Sequence, residues 1–125
     1  MQLTVLKGTY AICRLDHDSP IPLWVHASHG FASITYTQDE LSIVCQEKYV
    51  PAEIKQERGW RILKMIGPLD FSLVGIISRI TGILANAGVS LFTVSTYETD
   101  FILVKQEALD HAIQALSEAG LEIID

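Results

Sequence analysis

The stretch ITGILANAGVS, residues Ile80–Ser90, joins a predicted helix to a predicted strand. Apolar side chains recur at helical spacing from Leu73 to Ala87, and Gly88 follows where helices commonly end with a left-handed glycine. Val89–Ser95 is rich in residues that favour strands. The stretch therefore predicts a helix that passes directly into a strand.

Further strands and helices extend this pattern over the second half of the chain. Arg61–Gly67 alternates as a strand, and Phe101–Val104 is an apolar strand after a short connection. Helical spacing returns over Ala108–Ala119, and Leu121–Ile124 is a closing strand. The order is β-α-β-β-α-β, so the second half is predicted to be an α+β, ferredoxin-like domain.

The first half repeats this order with weaker helices. Tyr10–Leu15 is a predicted strand, and Phe31–Thr37 with Leu41–Gln46 form a predicted hairpin. Residues 16–30 contain two prolines and have room for one helical turn at most, and residues 49–59 are polar and hold no full helix. The first half is therefore predicted to be a degenerate copy with eroded helices.

The boundary between the halves is predicted near residues 57–59. This gives a subdomain over residues 1–59 and a domain over residues 60–125. A segment of this size with little helix does not cover both faces of a sheet. We therefore expect the first half to pack on the second half or to pair with another chain.

Composition and charge favour a cytoplasmic globular protein. The chain has 125 residues, 49% of them apolar, and a net charge of −6, which argues against nucleic-acid and anionic-membrane partners. Met1–Thr4 does not resemble a signal peptide, and polar residues interrupt the most apolar window, Leu73–Ala87. Cys13 and Cys45 lie on the apolar side of alternating runs, so they are interpreted as buried structural thiols, with a redox or nucleophilic role as the alternative.

Two polar segments of the second half are expected to face each other. Ile66–Ser72 breaks a strand at Gly-Pro and leads into the helix, while Ser95–Phe101 is a hairpin rich in hydroxyls and carboxylates. Helix amides attract a carboxylate, and side-chain carboxylates attract an ammonium. Together the segments predict a site for a small zwitterion.

In the first segment, amides near Phe71, Ser72 and Leu73 are expected to bind the ligand carboxylate at the positive end of the helix. Asp70 is either the N-cap of that helix or a pocket-edge group turned toward the ligand ammonium. Gly75 is predicted inside the helix, where glycine costs about 1 kcal/mol relative to alanine. Close approach of a ligand or helix–sheet packing would explain it.

In the second segment, Asp100 precedes an apolar strand, and a carboxylate that enters a sheet needs a partner. It is either exposed at the hairpin or the acceptor for an ammonium or guanidinium group. Ser95 and Thr96 offer hydroxyls beside it, whereas Glu98 is expected to be solvated.

Signatures of catalysis and of metal binding are weak. The chain has no G-x-S-x-G, Walker, dinucleotide or HExxH motif. His17, His26 and His29 lie in an irregular segment without a helical frame or a cysteine pair. We therefore predict no catalytic residue, no metal site and no cofactor.

Several segments carry a resemblance to a known family. Ile80–Ser90 resembles the helix, A-x-A-G, strand signature of ACT domains, which are small-molecule regulatory modules built as βαββαβ. Gly67–Ile76 and Ser95–Val104 are similar to a narrower group, the tandem-ACT proteins related to the regulatory part of aspartate kinase and to the CASTOR arginine sensors. Tyr10–Leu15 and Phe31–Val44 fit the same group, so the resemblance covers nearly the whole chain.

The resemblance implies an amino-acid-binding regulatory module. ACT domains bind ligands between two domains, against the loop that joins the first strand to the first helix. The leading hypothesis is a cytoplasmic, allosteric sensor or regulatory subunit that works as a homodimer and acts on a protein partner. The alternative is a ligand-free interaction module that dimerises or docks through its sheet, and a small enzyme is the third hypothesis.

Overall fold

The computed structural model describes residues 2–66 and 75–124. In those residues the strands and helices follow the order β1 (Gln2–Val5), β2 (Tyr10–Leu15), β3 (Ser33–Tyr36), β4 (Leu41–Gln46), β5 (Lys55–Met65), α1 (Ile76–Asn86), β6 (Leu91–Ser95), β7 (Asp100–Lys105), α2 (Leu109–Glu118) and β8 (Glu122–Ile124). Short 3-10 turns lie at Leu23–Ala27, Glu47–Tyr49 and Gln106–Ala108.

The chain divides into two compact units, and the division falls within β5. The first unit is Lys7–Trp60, and the second unit combines Met1–Leu6 with Arg61–Asp125. The division expected from the sequence, 1–59 and 60–125, differs chiefly at the N-terminus, because β1 pairs with the end of β5. That each unit is a domain in its own right stays a prediction.

The first unit is an antiparallel sheet with little helix. Its strands lie in the order β3-β4-β2-β5, which is the ferredoxin-like order with β5 in the place of the fourth strand. The two connections that carry helices in a complete copy hold the 3-10 turns at Leu23–Ala27 and Glu47–Tyr49. The predicted degenerate copy with eroded helices is therefore confirmed. Its core consists of buried apolar side chains and both thiols: Ala11, Cys13, Val25, Leu41, Ile43, Cys45 and Val50.

The strand β5 begins earlier than the sequence predicts. It starts at Lys55 rather than at Arg61, and its polar first residues pair with β2, with Glu57 opposite Ile12. The register shifts between Tyr10 and Ile12, where Gly59 has a φ of +82°, as in a β-bulge. Because these side chains are mostly hydrophilic, no apolar alternation marks the strand in the sequence.

The second unit is the predicted βαββαβ domain with one additional strand. The strand order is β6-β7-β5-β1-β8. β1, which the sequence did not predict, lies between β5 and β8, antiparallel to β5 and parallel to β8. The core unites residues of the sheet and of both helices: Leu3, Leu63, Met65, Ile80, Leu84, Ile102, Val104, Ala112 and Leu116.

Both ends of α1 are marked by left-handed glycines. Gly75 occupies the N-cap position with a φ of +82°, so the prediction that it lies inside the helix is wrong. Among the described residues, a Cβ at Gly75 would meet no atom within 4 Å, so its left-handed backbone rather than a close contact explains the glycine. At the other end, Gly88 has a φ of +76° and Val89 N donates to Leu84 O at 2.9 Å, which confirms the predicted glycine cap.

The two helices contact each other's C-terminal ends. Arg79 Nη2 of α1 donates a hydrogen bond to Ala119 O at 2.9 Å, and His111 Nε2 of α2 lies 2.9 Å from Ala87 O. A cation beside the last carbonyls of a helix complements its dipole. These contacts hold the helix pair together on the sheet.

Candidate functional site

The expected ligand loop lies between the end of β5 and the start of α1 in the sequence. Asp70, Phe71, Ser72 and Leu73 lie outside the described residues. On one side of the gap, β5 ends at Met65, and Ile66 N donates to Gln2 O of β1 at 2.9 Å. On the other side, the N-cap position of α1 is Gly75, which has no side chain with which to cap the helix. The first-turn amides of α1 therefore receive no side-chain cap from their N-cap residue.

The hairpin between β6 and β7 is closed by a hydroxyl. Thr96 N donates to Thr99 O at 2.8 Å, and Thr96 Oγ1 donates to the same carbonyl at 3.1 Å. Thr99 N in turn lies 3.4 Å from Thr96 Oγ1. Tyr97 and Glu98 form the exposed tip, so the expectation that Glu98 is solvated is confirmed.

Ser95 and Asp100 stand opposite each other at the hairpin end of the two strands. They are direct partners in the β6–β7 register, and Ser95 Oγ donates a hydrogen bond to Asp100 Oδ1. Asp100 is half-buried. By strand alternation it lies on the same face as Ile102 and Val104, which pack in the core with both helices. The Asp100 carboxylate is thus directed to the helix side of the sheet.

Thr99 connects this hairpin to the end of β5. The residue is 6% exposed, and its Oγ1 donates to Met65 O at 2.8 Å. Together with the pairing of β5 and β7, this contact brings the hairpin to the end of β5, and the expectation that the two strands are neighbours is confirmed. The sequence did not single out Thr99, because one threonine among polar hairpin residues has no distinguishing pattern.

The first unit contains a counterpart of this hairpin. In the loop between β3 and β4, Thr37 N donates to Glu40 O at 2.9 Å, and Thr37 Oγ1 lies 3.3 Å from the same carbonyl. The register partners that correspond to Ser95 and Asp100 are Tyr36 and Leu41. Leu41 is 2% exposed and packs in the core of the first unit. Packing alone would favour an apolar side chain at this position, as in the first unit. The second unit has the carboxylate of Asp100 there instead.

The two cysteines belong to the core rather than to this site. Both are free and buried, as predicted. The hydrogen bond with Cys45 and burial together hold the pKa of the Cys13 thiol well above its usual value. Because the thiolate is the reactive form, Cys13 is a poor nucleophile in the folded protein.

The described residues show neither a metal-binding cluster nor a helix that could span a membrane. Across 2–66 and 75–124, no group of three or more His, Cys, Asp or Glu side chains is arranged to hold a metal ion. In the described part of the chain, neither helix has the length and hydrophobicity needed to cross a bilayer.

Comparison with known proteins identifies the family. A family model described as the ACT domain matches residues 55–118, which is just over half of the chain. The chain therefore belongs to the ACT domain family. A second family model, described as an N-terminal domain, matches residues 8–53.

Individual relatives refine this assignment. A crystal structure of a protein from Agobacterium tumefaciens is 36% identical with a TM-score of 0.92, over 98% of this chain and 91% of that chain. The ligand-free regulatory subunit of aspartate kinase from Thermus thermophilus has a TM-score of 0.60 at 11% identity, over 94% of this chain and 96% of that chain, which indicates a shared fold alone.

A curated relative matches part of the chain in sequence. It is the human protein named "Cytosolic arginine sensor for mTORC1 subunit 1", which is 36% identical over 58 residues, or 46% of this chain. The matched segment spans only 18% of that relative's length.

Proposed function

We propose that this protein is a regulatory or sensor protein that binds a small amino acid. The site is formed by Ser95, Thr96 and Asp100 on the hairpin, and by Asp70–Leu73 and Gly75 on the segment that leads into α1. The observation that carries the proposal is the Ser95–Asp100 pair. It puts a half-buried carboxylate at a position that the first unit fills with buried Leu41.

The chemistry of these groups suits a zwitterion. Asp100 accepts hydrogen bonds from the ligand ammonium, or from a cationic side chain, with the Ser95 and Thr96 hydroxyls beside it. The ligand carboxylate binds backbone amides where the chain enters α1, at the positive end of the helix. In this proposal the Asp70 carboxylate is a second acceptor for the ligand cation.

The relatives support a regulatory role and a ligand class. One relative is named as an arginine sensor, and the regulatory subunit of aspartate kinase shares the fold. The name of this relative and the acidic acceptor at Asp100 together favour a cationic or simple zwitterionic amino acid as the ligand. Because the match spans a small share of the sensor, its partner complex is not transferred to this chain.

Regulation follows from where the ligand is bound. We propose a cytoplasmic homodimer in which the amino acid contacts ACT modules at an ACT–ACT interface, without a metal, a cofactor or catalysis. A ligand that contacts two modules favours the arrangement in which both contacts exist. That arrangement is what a regulated protein partner would recognise.

An alternative function has its own supporting observation. β3 has a pairing partner on one side only among the described strands, and it carries exposed Ile34 and Tyr36, at 39% and 67%. An edge strand with exposed apolar side chains is a template for pairing with another chain. A ligand-free interaction module would use this edge and would bind no amino acid.

A thermal-shift screen of the full chain against the standard amino acids tests the proposal. We expect a saturable rise in Tm with at least one amino acid. Asp100→Asn, which keeps the shape and removes the charge, is expected to abolish the rise. Glu98→Gln is the matched control, because this exposed carboxylate lies in the same hairpin, and it is expected to keep the rise.

Two results would contradict the sensor proposal. One is the absence of a Tm shift with every amino acid, which would favour the interaction module. The other is an equal shift in wild type and Asp100→Asn, which would place the ligand away from the hairpin.

A further inference from the structure

Thr99 is a buried polar residue with a specific partner in the second unit. The residue is 6% exposed, and its hydroxyl donates to Met65 O at 2.8 Å. Met65 is the last residue of β5 and lies just before the chain leaves the sheet toward α1. The hydrogen bond therefore joins the hairpin to the strand end that precedes the proposed ligand loop.

Closure of the hairpin does not require this hydroxyl. Thr96 closes the loop, and in the first unit Thr37 closes the corresponding loop with Glu40 in the place of Thr99. In the first unit, the hairpin contacts the neighbouring strand β2 through an exposed hydrogen bond instead. Arg14 Nη2 of β2 donates to Asp39 O at 3.1 Å. The buried hydroxyl is thus found in the unit that carries Ser95 and Asp100.

We propose that Thr99 is a positioning residue of the amino-acid site, a proposal that rests on the proposed function. Its hydroxyl fixes Ser95 and Asp100 relative to the end of β5 by binding the Met65 carbonyl. Thr99 itself does not contact the ligand. Loss of the hydroxyl leaves a buried carbonyl without this donor, and the hairpin then shifts or opens to regain a partner.

Two substitutions separate the hydroxyl from the volume of the side chain. Thr99→Val removes the donor and nearly keeps the volume, while Thr99→Ser keeps the donor. We expect the Kd for L-arginine to rise about tenfold in Thr99→Val and to stay within about threefold of wild type in Thr99→Ser. Arg14→Met removes the corresponding contact of the first unit and is expected to leave the Kd unchanged.

The measurements are isothermal titration with L-arginine and amide hydrogen exchange of the ligand-free full chain. In Thr99→Val, exchange at the Thr96 amide, which donates to Thr99 O, is expected to accelerate, whereas Thr99→Ser retains the wild-type rate. Tm values of all variants establish that each one is folded.

The outcomes distinguish this inference from the proposed function. If wild type binds L-arginine and Thr99→Val binds it equally well, the role of Thr99 is overturned while the sensor function stands. If wild type does not bind L-arginine, the proposed sensor function is contradicted for that ligand. The role of Thr99 in fixing the hairpin is then tested by hydrogen exchange. An unchanged Thr96 exchange rate in Thr99→Val overturns it, and a faster rate that Thr99→Ser restores supports it.

Discussion

Asp100 is the residue on which the proposed site depends most. A carboxylate has acceptor capacity for about four hydrogen bonds, and the Ser95 hydroxyl donates one of them. The remaining capacity on the helix side of the sheet suits an ammonium or guanidinium group. The corresponding position in the first unit is buried Leu41, so the fold does not itself require a charge there.

The sequence suggests some residues of the proposed site and does not suggest others, for physical reasons. Ser95, Thr96 and Asp100 are predictable, because hydroxyls and a carboxylate between two apolar strands indicate a polar hairpin. Thr99 is not predictable, because its proposed role depends on a hydrogen bond to the carbonyl of Met65, which is distant in the sequence. Gly75 was wrongly placed inside the helix, because the apolar periodicity from Leu73 onward hides the left-handed turn before Ile76.

Substitution of Gly75 tests this left-handed N-cap. Gly75→Ala forces a side chain into a φ of +82°, and we expect the free energy of unfolding to fall by about 1–2 kcal/mol. Gly82→Ala is the matched control, because Gly82 lies within α1 without a positive φ and, among the described residues, without atoms within 4 Å of an added Cβ.

Gly82→Ala is expected to stabilise the protein by about 0.5–1 kcal/mol. Urea unfolding followed by far-UV circular dichroism measures both variants. Equal effects of the two substitutions would contradict the assigned N-cap geometry.

At the scale of elements, hydrophobic periodicity predicts the strands and helices that bury one face. It predicts the βαββαβ order of the second unit and the hairpin of the first unit. It fails for the polar start of β5, which pairs through its backbone while most of its side chains face solvent. It also fails for β1, because four residues are too few to define an alternation.

The inserted strand β1 is expected to be essential to the second unit. Leu3 is fully buried in its core and stands opposite Met65 of β5. Leu3→Ala is expected to reduce the free energy of unfolding by about 2–5 kcal/mol, since it removes a buried side chain and leaves a cavity.

Gln2→Ala, at an exposed position of the same strand, is the control, with an expected change within about 0.5 kcal/mol. Denaturant unfolding of the two variants tests the assignment. A Leu3→Ala variant as stable as wild type would contradict the role of β1 in the core.

At the scale of the whole molecule, one chain contains two ferredoxin-like strand orders with different specialisations. The first unit has the sheet with 3-10 turns in place of the helices, and Tyr36 and Leu41 are register partners at its hairpin. The second unit has both helices, and Ser95 and Asp100 are the register partners at the corresponding hairpin. We therefore expect one amino-acid site of this kind per chain. The net charge of −6 is compatible with a cationic ligand.

The most direct test of the central claim is a crystal structure of the protein grown with a mixture of amino acids. We expect one bound amino acid per chain, with a cationic group within hydrogen-bond distance of the Asp100 carboxylate and its carboxylate on amides where the chain enters α1. An amino acid bound away from the Ser95–Asp100 hairpin, or a hairpin without ligand in crystals that contain the mixture, would contradict it.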